Sequence, residues 1–282
     1  MESGFPMQGR SAARIEDAAM RSLRTGFRLC RVALHLLWAV VTVACAFPFL
    51  PISLRRALKV RWSRQLLQVL GVQLRVAGVA STSGGLVVCN HISWLDIYAI
   101  NALLPANFVA KAEVHGWPIV GWLGAQTETI FLQRRSHSAA MRAKQKLVDQ
   151  LRRRSCIVVF PEATTGSGDT VLPFHSALFQ SSIDAGVEVQ PLVMRYLAAN
   201  GTTSAAPVYI AETSLWQSLL AIARADSLTA HLDVLPTLDP TGTNRRQLAM
   251  EAREIIARRL AEPIGIKRDD ALSIDKNLAY AR

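Results

Sequence analysis

The sequence predicts an α/β fold, a mostly parallel sheet flanked by helices, with an N-terminal membrane-associated helical hairpin. Three features carry this. Beyond residue 75, short runs that are apolar throughout alternate with helical stretches; polar residues follow two of those runs directly; and a long apolar segment edged by arginines precedes them all. Hydrophobic residues make up 50% of the 282 and charged residues 19%, a composition that excludes a disordered chain. The length suits one sizeable domain plus an appendage, divided here into residues 1–75 and 76–282.

From Val32 to Leu50, "VALHLLWAVVTVACAFPFL" contains only His35 and Thr42 as polar residues. As a helix it is about long enough for the roughly 30 Å hydrocarbon core of a bilayer. Arg21, Arg24, Arg28 and Arg31 lie upstream, and Arg55, Arg56, Lys59, Arg61 and Arg64 downstream, so a single span would have basic flanks on both sides and little charge asymmetry to orient it. Pro48 and Pro51 break the helix where a span would finish, and the amphipathic "RWSRQLLQVLGVQL" follows. A hairpin dipping into the inner membrane, with both ends and the rest of the chain on the cytoplasmic side, reconciles these features. A cleaved leader ending near "ACA" (44–46) and a buried core helix are the alternatives.

Strands are expected at "GLVVC" (85–89), "NFVAK" (107–111), "TETIFL" (127–132), "CIVVF" (156–160), "VEVQPLVM" (187–194) and "PVYIAE" (207–212), several apolar throughout, as buried parallel strands are. Helical periodicity covers 138–154, with a basic last turn, and 176–186, which stops at Gly186. An amphipathic helix at 244–262 closes the pattern by packing back on the core.

The formal net charge of +11 calls for an anionic partner. A nucleic-acid binder would interleave aromatics with its basic runs, and none does so here. Basic side chains beside an anionic leaflet are worth about 1 kcal/mol each, so the arginine clusters next to the apolar hairpin read as membrane docking. A non-catalytic membrane scaffold is the rival reading. Cysteines 30, 45, 89 and 156 form no C-x-x-C pair, which points away from a zinc site or a disulfide framework and towards a reducing compartment.

"VVCNH" and "VVFPE" each place polar residues directly after an apolar strand, and the carboxyl ends of parallel strands share the edge where ligands bind. His91 and Glu162 are therefore candidates for one cleft. In "NHISWLD", Ser93 reads as an N-cap and Asp96 as a first-turn carboxylate. Five residues within one helix would turn the two side chains about 140° apart, so His91 must lie outside the helix and fold back for Asp96 to take its Nδ1 proton. The alternative is a capping Asp96 beside an ordinary loop histidine. No H-E-x-x-H, G-x-S-x-G, Walker or G-x-G-x-x-G motif occurs, and Cys89, ending an apolar strand, reads as core packing. Thr164, Thr165 and Gly166 offer hydroxyls and open N–H groups for an anion nest or for a plain polar turn.

"NHISWLD" resembles the Asn-His-x4-Asp block of the glycerolipid acyltransferases, the 1-acylglycerol-3-phosphate acyltransferase family, and "FPEATT" resembles that family's Phe-Pro-Glu-Gly-Thr-Arg block. "IFLQR" (130–134) is similar to the middle block ending in arginine and "VQPLV" (189–193) to the fourth, proline-containing one, all in family order over residues 85–200. The resemblance implies a His91 base held by Asp96, an acyl-CoA or acyl carrier protein donor, a lysolipid acceptor and no metal or redox cofactor. It also implies binding roles for Arg134, Glu162 and Lys111. The chain departs from the family pattern at Ala163 and Thr165, where glycine and arginine are common, at His175 in place of a lysine, and at Glu128 in place of a glycine. Alanine at 163 makes a left-handed backbone less expected there, and the missing guanidinium at 165 removes one phosphate contact. "EATTGSGD" looks more like branches that act on lyso-ornithine lipid or other lysolipids.

Overall fold

The computed structural model describes residues 8–81, 83–132, 137–210 and 212–264. The elements run α1 (Gln8–Cys45), α2 (Ile52–Leu70), β1 (Val72–Ala77), β2 (Gly85–Cys89), α3 (Leu95–Leu103), β3 (Asn107–Lys111), α4 (Ala112–His115) and α5 (Val120–Gln126). They continue with β4 (Ile130–Leu132), α6 (His137–Arg152), β5 (Cys156–Val159), α7 (Gln180–Ala185), β6 (Val189–Ala198), α8 (Leu215–Arg224), β7 (Leu228–Val234) and α9 (Arg245–Ala261).

Seven strands form one sheet in the order β1-β7-β6-β2-β5-β3-β4. All pairings are parallel except β6 with β7, so β1 and β7 run against the other five. Every residue of β2 is buried, because alternate side chains enter two cores. Val87 and Cys89 pack with α2 and α3, whereas Leu86 and Val88 pack with α6 and α9.

The strand expected at 207–212 is not one: its described residues are turn and irregular chain. Two strands were not anticipated. β1 follows α2 after a single glycine, so its residues read as the end of the amphipathic stretch; Gly71, at φ 75°, ends α2 with its N–H on the Gln68 and Leu67 carbonyls. A side chain there would also strike the Arg28 guanidinium. β7 escapes notice because Thr229, His231 and Asp233 break its apolar pattern, yet all three are buried. Asp233 accepts from Arg195 (3.3 Å), Arg259 (2.8 Å) and His231 (3.4 Å), an internal charge cluster that fixes α9 to the sheet.

The proline break is where the sequence places it. Phe47–Phe49 form one 3-10 turn and Pro51 caps α2, folding α1 and α2 into a hairpin. His35, the histidine of the apolar run, lies against α2: its ring stacks on Trp62 at 4.6 Å, its Nε2–H donates to the Trp62 carbonyl (3.1 Å), and Trp62 Nε1–H donates to the His35 carbonyl (3.2 Å).

Part of the basic charge assigned to membrane docking is engaged inside the protein. Arg28 donates to the carbonyls of Ala223 and Ala225 at the end of α8, and Arg24 pairs with Asp226. Arg64 caps the Ala102 carbonyl near the end of α3, Lys59 donates to the Ala106 carbonyl (2.6 Å), and Arg56 pairs with Glu128 (3.2 Å). Helix ends leave carbonyls without partners, and cations from α1 and α2 fill several of those places. Burial lowers the Lys59 ammonium to about 8.

Candidate active site

β2 ends at Cys89, and the next side chain continues the sheet in place of a backbone rung. Asn90 Nδ2–H donates to the Met194 carbonyl (3.0 Å) and its Oδ1 accepts the Met194 N–H (2.8 Å). His91 follows outside any helix, with its ring stacked on Phe160 at 3.8 Å and its carbonyl accepting the Gly166 N–H at 2.7 Å. α3 then starts with Trp94, not the expected Ser93, at its N-cap and no side-chain cap; Ser93 lies one residue earlier with its Oγ accepting the Leu95 N–H, and Asp96 falls in the first turn.

That placement brings the pair together. His91 Nδ1 lies 2.8 Å from Asp96 Oδ2, which also accepts the N–H groups of Ile92 (2.8 Å) and Ser93 (3.0 Å). The other oxygen, Oδ1, accepts the Tyr196 hydroxyl at 2.8 Å. Four donors satisfy a carboxylate that is fully buried, the condition under which a charge can stay in a protein interior. A ring nitrogen facing a carboxylate carries the proton, so Nε2 keeps its lone pair. The His91 side chain is 18% exposed and that of Asp96 0%, so a buried acceptor holds a partly exposed imidazole.

Glu162 comes beside them from the end of β5. It is 5% exposed, and Oε1 has no hydrogen-bond partner among the described residues. Burial pushes its carboxyl up to about 7, with Asp96 acting in the same direction, while the His91 and Leu172 N–H groups and the Arg253 guanidinium pull it down. Arg253, on α9, also holds the Leu172 (3.0 Å) and Val171 (2.8 Å) carbonyls and so fixes the loop around the site.

Two of the three residues considered for an anion nest have their donors on internal partners. The Gly166 N–H is on the His91 carbonyl and the Thr165 hydroxyl is on the Tyr209 carbonyl, while Thr164 is exposed. Lys111 is exposed at the carboxyl end of β3, where its extended backbone starts α4. Arg134 lies outside the described residues. At Ala163 the expectation is corrected: φ is 59°, and at Glu128 it is 66°, so the chain keeps positive φ without glycine at both places. Burial raises the Cys89 thiol well above its ordinary value, with Asp96 and Glu162 adding to the shift, which suits core packing and not a nucleophile.

Asn90, Phe160 and Tyr196 escaped the sequence reading. Asn90 and Phe160 are the first residues of the "NHISWLD" and "FPEATT" blocks, but the sequence reading gave them no role of their own. Tyr196 lies 100 residues from Asp96 in sequence, and no local pattern links the two.

Comparison with known proteins identifies relatives of this chain. A family model described as acyltransferase matches residues 73–195. The lyso-ornithine lipid O-acyltransferase of Pseudomonas aeruginosa is 34% identical over 203 residues, covering 72% of this chain and 78% of that protein. The 1-acyl-sn-glycerol-3-phosphate acyltransferase of Neisseria meningitidis is 35% identical over 221 residues, covering 78% and 86%. The crystal structure of the 1-acyl-sn-glycerophosphate (LPA) acyltransferase PlsC from Thermotoga maritima has the same fold, with a TM-score of 0.65 at 18% identity over 86% of this chain and 95% of that one. With the motif blocks in family order and relatives matched over most of their length, the chain belongs to the acyltransferase family and is an acyltransferase.

Proposed function

We propose that this chain is a membrane-associated O-acyltransferase that moves a fatty acyl group from acyl-CoA or acyl carrier protein to the hydroxyl of a lysolipid, with His91 as general base. The observation that carries the reading is the buried Asp96 carboxylate, 2.8 Å from His91 Nδ1, behind a partly exposed imidazole. His91 Nε2 takes the hydroxyl proton as the acceptor oxygen attacks the thioester carbonyl. The C–S bond then breaks, and the leaving thiolate takes the proton back from the imidazolium. Base catalysis of this kind contributes about 100- to 10,000-fold. Because a thiolate leaves readily, the reaction so written requires no metal and no redox cofactor.

Glu162, with its unpartnered Oε1 beside the pair, would orient the acceptor, and Arg134 and Lys111 would meet anionic parts of the substrates. Two head groups are in view. The relatives named for 1-acyl-sn-glycerol-3-phosphate and for lyso-ornithine lipid are similar to this chain at 35% and 34%, so identity does not separate them. The absence of an arginine at 165, with the Thr165 hydroxyl engaged on Tyr209, favours a lyso-ornithine lipid or another lysolipid without a phosphate monoester.

The membrane part of the reading is supported by α1, which from Glu16 to Cys45 is long and apolar enough to cross a bilayer and is mostly uncovered. Leu23, Phe27, Leu34, Leu37, Trp38 and Val41 are exposed along it. The active site would then face the cytoplasm beside the inner membrane. The test is thiol release from acyl-CoA with a panel of lysolipids, for wild type and His91→Ala, together with carbonate extraction of the membrane fraction. Turnover should vanish in a folded variant; near-normal turnover would refute the base assignment.

A further inference from the structure

We infer that Tyr196 is a positioning residue for the His91–Asp96 pair, one that sets how strongly the carboxylate draws on the imidazole. The inference rests on the reading of His91 as base, and its test is chosen so that the two can fail separately.

The two oxygens of Asp96 are served unequally. Oδ2 accepts three N–H groups, from His91, Ile92 and Ser93, whereas Oδ1 has the Tyr196 hydroxyl as its one hydrogen-bond donor among the described residues. No solvent replaces that donor, because Tyr196 is 1% exposed and Asp96 0%. The contact exists because β6 overruns its neighbour. β2 ends at Cys89, opposite Leu192, while β6 continues to Ala198. Residues 193–198 therefore stand beyond the carboxyl edge of β2, level with the first turn of α3. Strand alternation puts Leu192, Met194 and Tyr196 on the α3 side and Val193 and Arg195 on the α9 side. A one-residue slip would remove the hydroxyl from the site altogether.

The Tyr196 hydroxyl draws negative charge towards Oδ1 and away from the oxygen that faces His91. Without it, more charge gathers on Oδ2, the Nδ1 proton is held more tightly and the imidazolium is favoured. The carboxylate also gains freedom to turn. Among the described residues, the other titratable or charged groups packed around the pair are Cys89 on β2, Glu162 on the loop after β5, and Arg253 on α9, which acts on Glu162. All three remain when Tyr196 is changed, so a shift on substitution belongs to the lost hydroxyl.

The experiment has two readouts, the pH profile of kcat/KM and an NMR titration of the His91 ring, assigned by comparison with His91→Ala. In Tyr196→Phe, the His91 titration and the acidic limb of kcat/KM should both move to higher pH, by about one unit. On the acidic side of that limb kcat should fall about tenfold, the rate equivalent of a one-unit shift, with an unchanged KM for lysolipid, because the phenol touches no substrate. Site-specific 3-fluorotyrosine at 196, a stronger donor of nearly the same shape, should move both readouts to lower pH, and it keeps the test available should the phenylalanine variant fold poorly. If the His91 titration stays in place in the folded variants, Tyr196 is only structural and the inference is overturned. If the ring titration moves and the kinetic limb does not, the positioning contact stands and the assignment of His91 as base falls.

Discussion

Asp96→Asn isolates the electrostatic part of the proposed mechanism. The amide is isosteric, and the surrounding donors dictate its orientation: its oxygen stays towards His91 Nδ1 (2.8 Å), Ile92 N–H and Ser93 N–H, leaving the NH2 group towards the Tyr196 oxygen, which can accept. The fold and the ring orientation should survive. What disappears is the charge that stabilises the imidazolium formed as the acceptor hydroxyl is deprotonated. Two unit charges about 4 Å apart interact by about 4 kcal/mol at an effective dielectric of 20, and at about 1.36 kcal/mol per decade this is roughly three decades of rate. We therefore expect kcat to fall about 1,000-fold with KM changed little, because the interaction develops only in the transition state. Continuous detection of free thiol during transfer from acyl-CoA to lysolipid measures both constants, and circular dichroism checks the fold. A kcat within tenfold of wild type would refute the reasoning, as would a loss confined to KM.

Two further outcomes follow from charges held inside the protein. Glu162 has a folded value of about 7, above the ordinary carboxylate range, so the native state binds more protons than the unfolded chain between those values. Its contribution to stability is fully present below the ordinary range and is lost as pH rises through about 7. The denaturation midpoint of Glu162→Gln should show a weaker decline over that window; an identical pH dependence in wild type and variant would count against a buried, raised carboxyl. Asp233→Ala should destabilise the fold by about 3–5 kcal/mol in denaturant unfolding, because it leaves Arg195 and Arg259 without their shared carboxylate. A loss below about 1 kcal/mol would mean that the cluster is effectively solvated.

The legible parts of this chain are those where one local rule governs. β2 and β3 match the apolar runs 85–89 and 107–111 residue for residue, and α9 starts beside the Asn244 cap at the edge of the periodic stretch. The hairpin break was legible in Pro48 and Pro51, since proline cannot continue a helix. β7 was not legible, because its polar residues are buried by partners from β6 and α9 that no local window contains. Ala163 misleads for a related reason. Positive φ on a residue with a side chain costs on the order of 1–2 kcal/mol, and only the surrounding structure can impose it. The Ala163 turn belongs to the folded loop beside Glu162 and not to the residue's own preference. The destinations of Arg24, Arg28, Arg56, Lys59 and Arg64 were equally hidden. Charge can be counted in a sequence, but whether a cation meets lipid or a helix carbonyl depends on what packs beside it.

The sequence by itself determined one side-chain pairing: an imidazole five residues ahead of a carboxylate, at the end of an apolar strand and the start of a helix. That much is short-range, because strand, turn and first helical turn are contiguous, which keeps the ring within reach of Asp96. Tertiary structure alone decided what completes the pair. Tyr196 arrives on a strand that overruns its neighbour, Glu162 loses its solvent beside them, and the Thr165 and Gly166 donors are drawn into the loop around the site. These depend on sheet order and register, which are set by the summed burial of many side chains and not by any one segment.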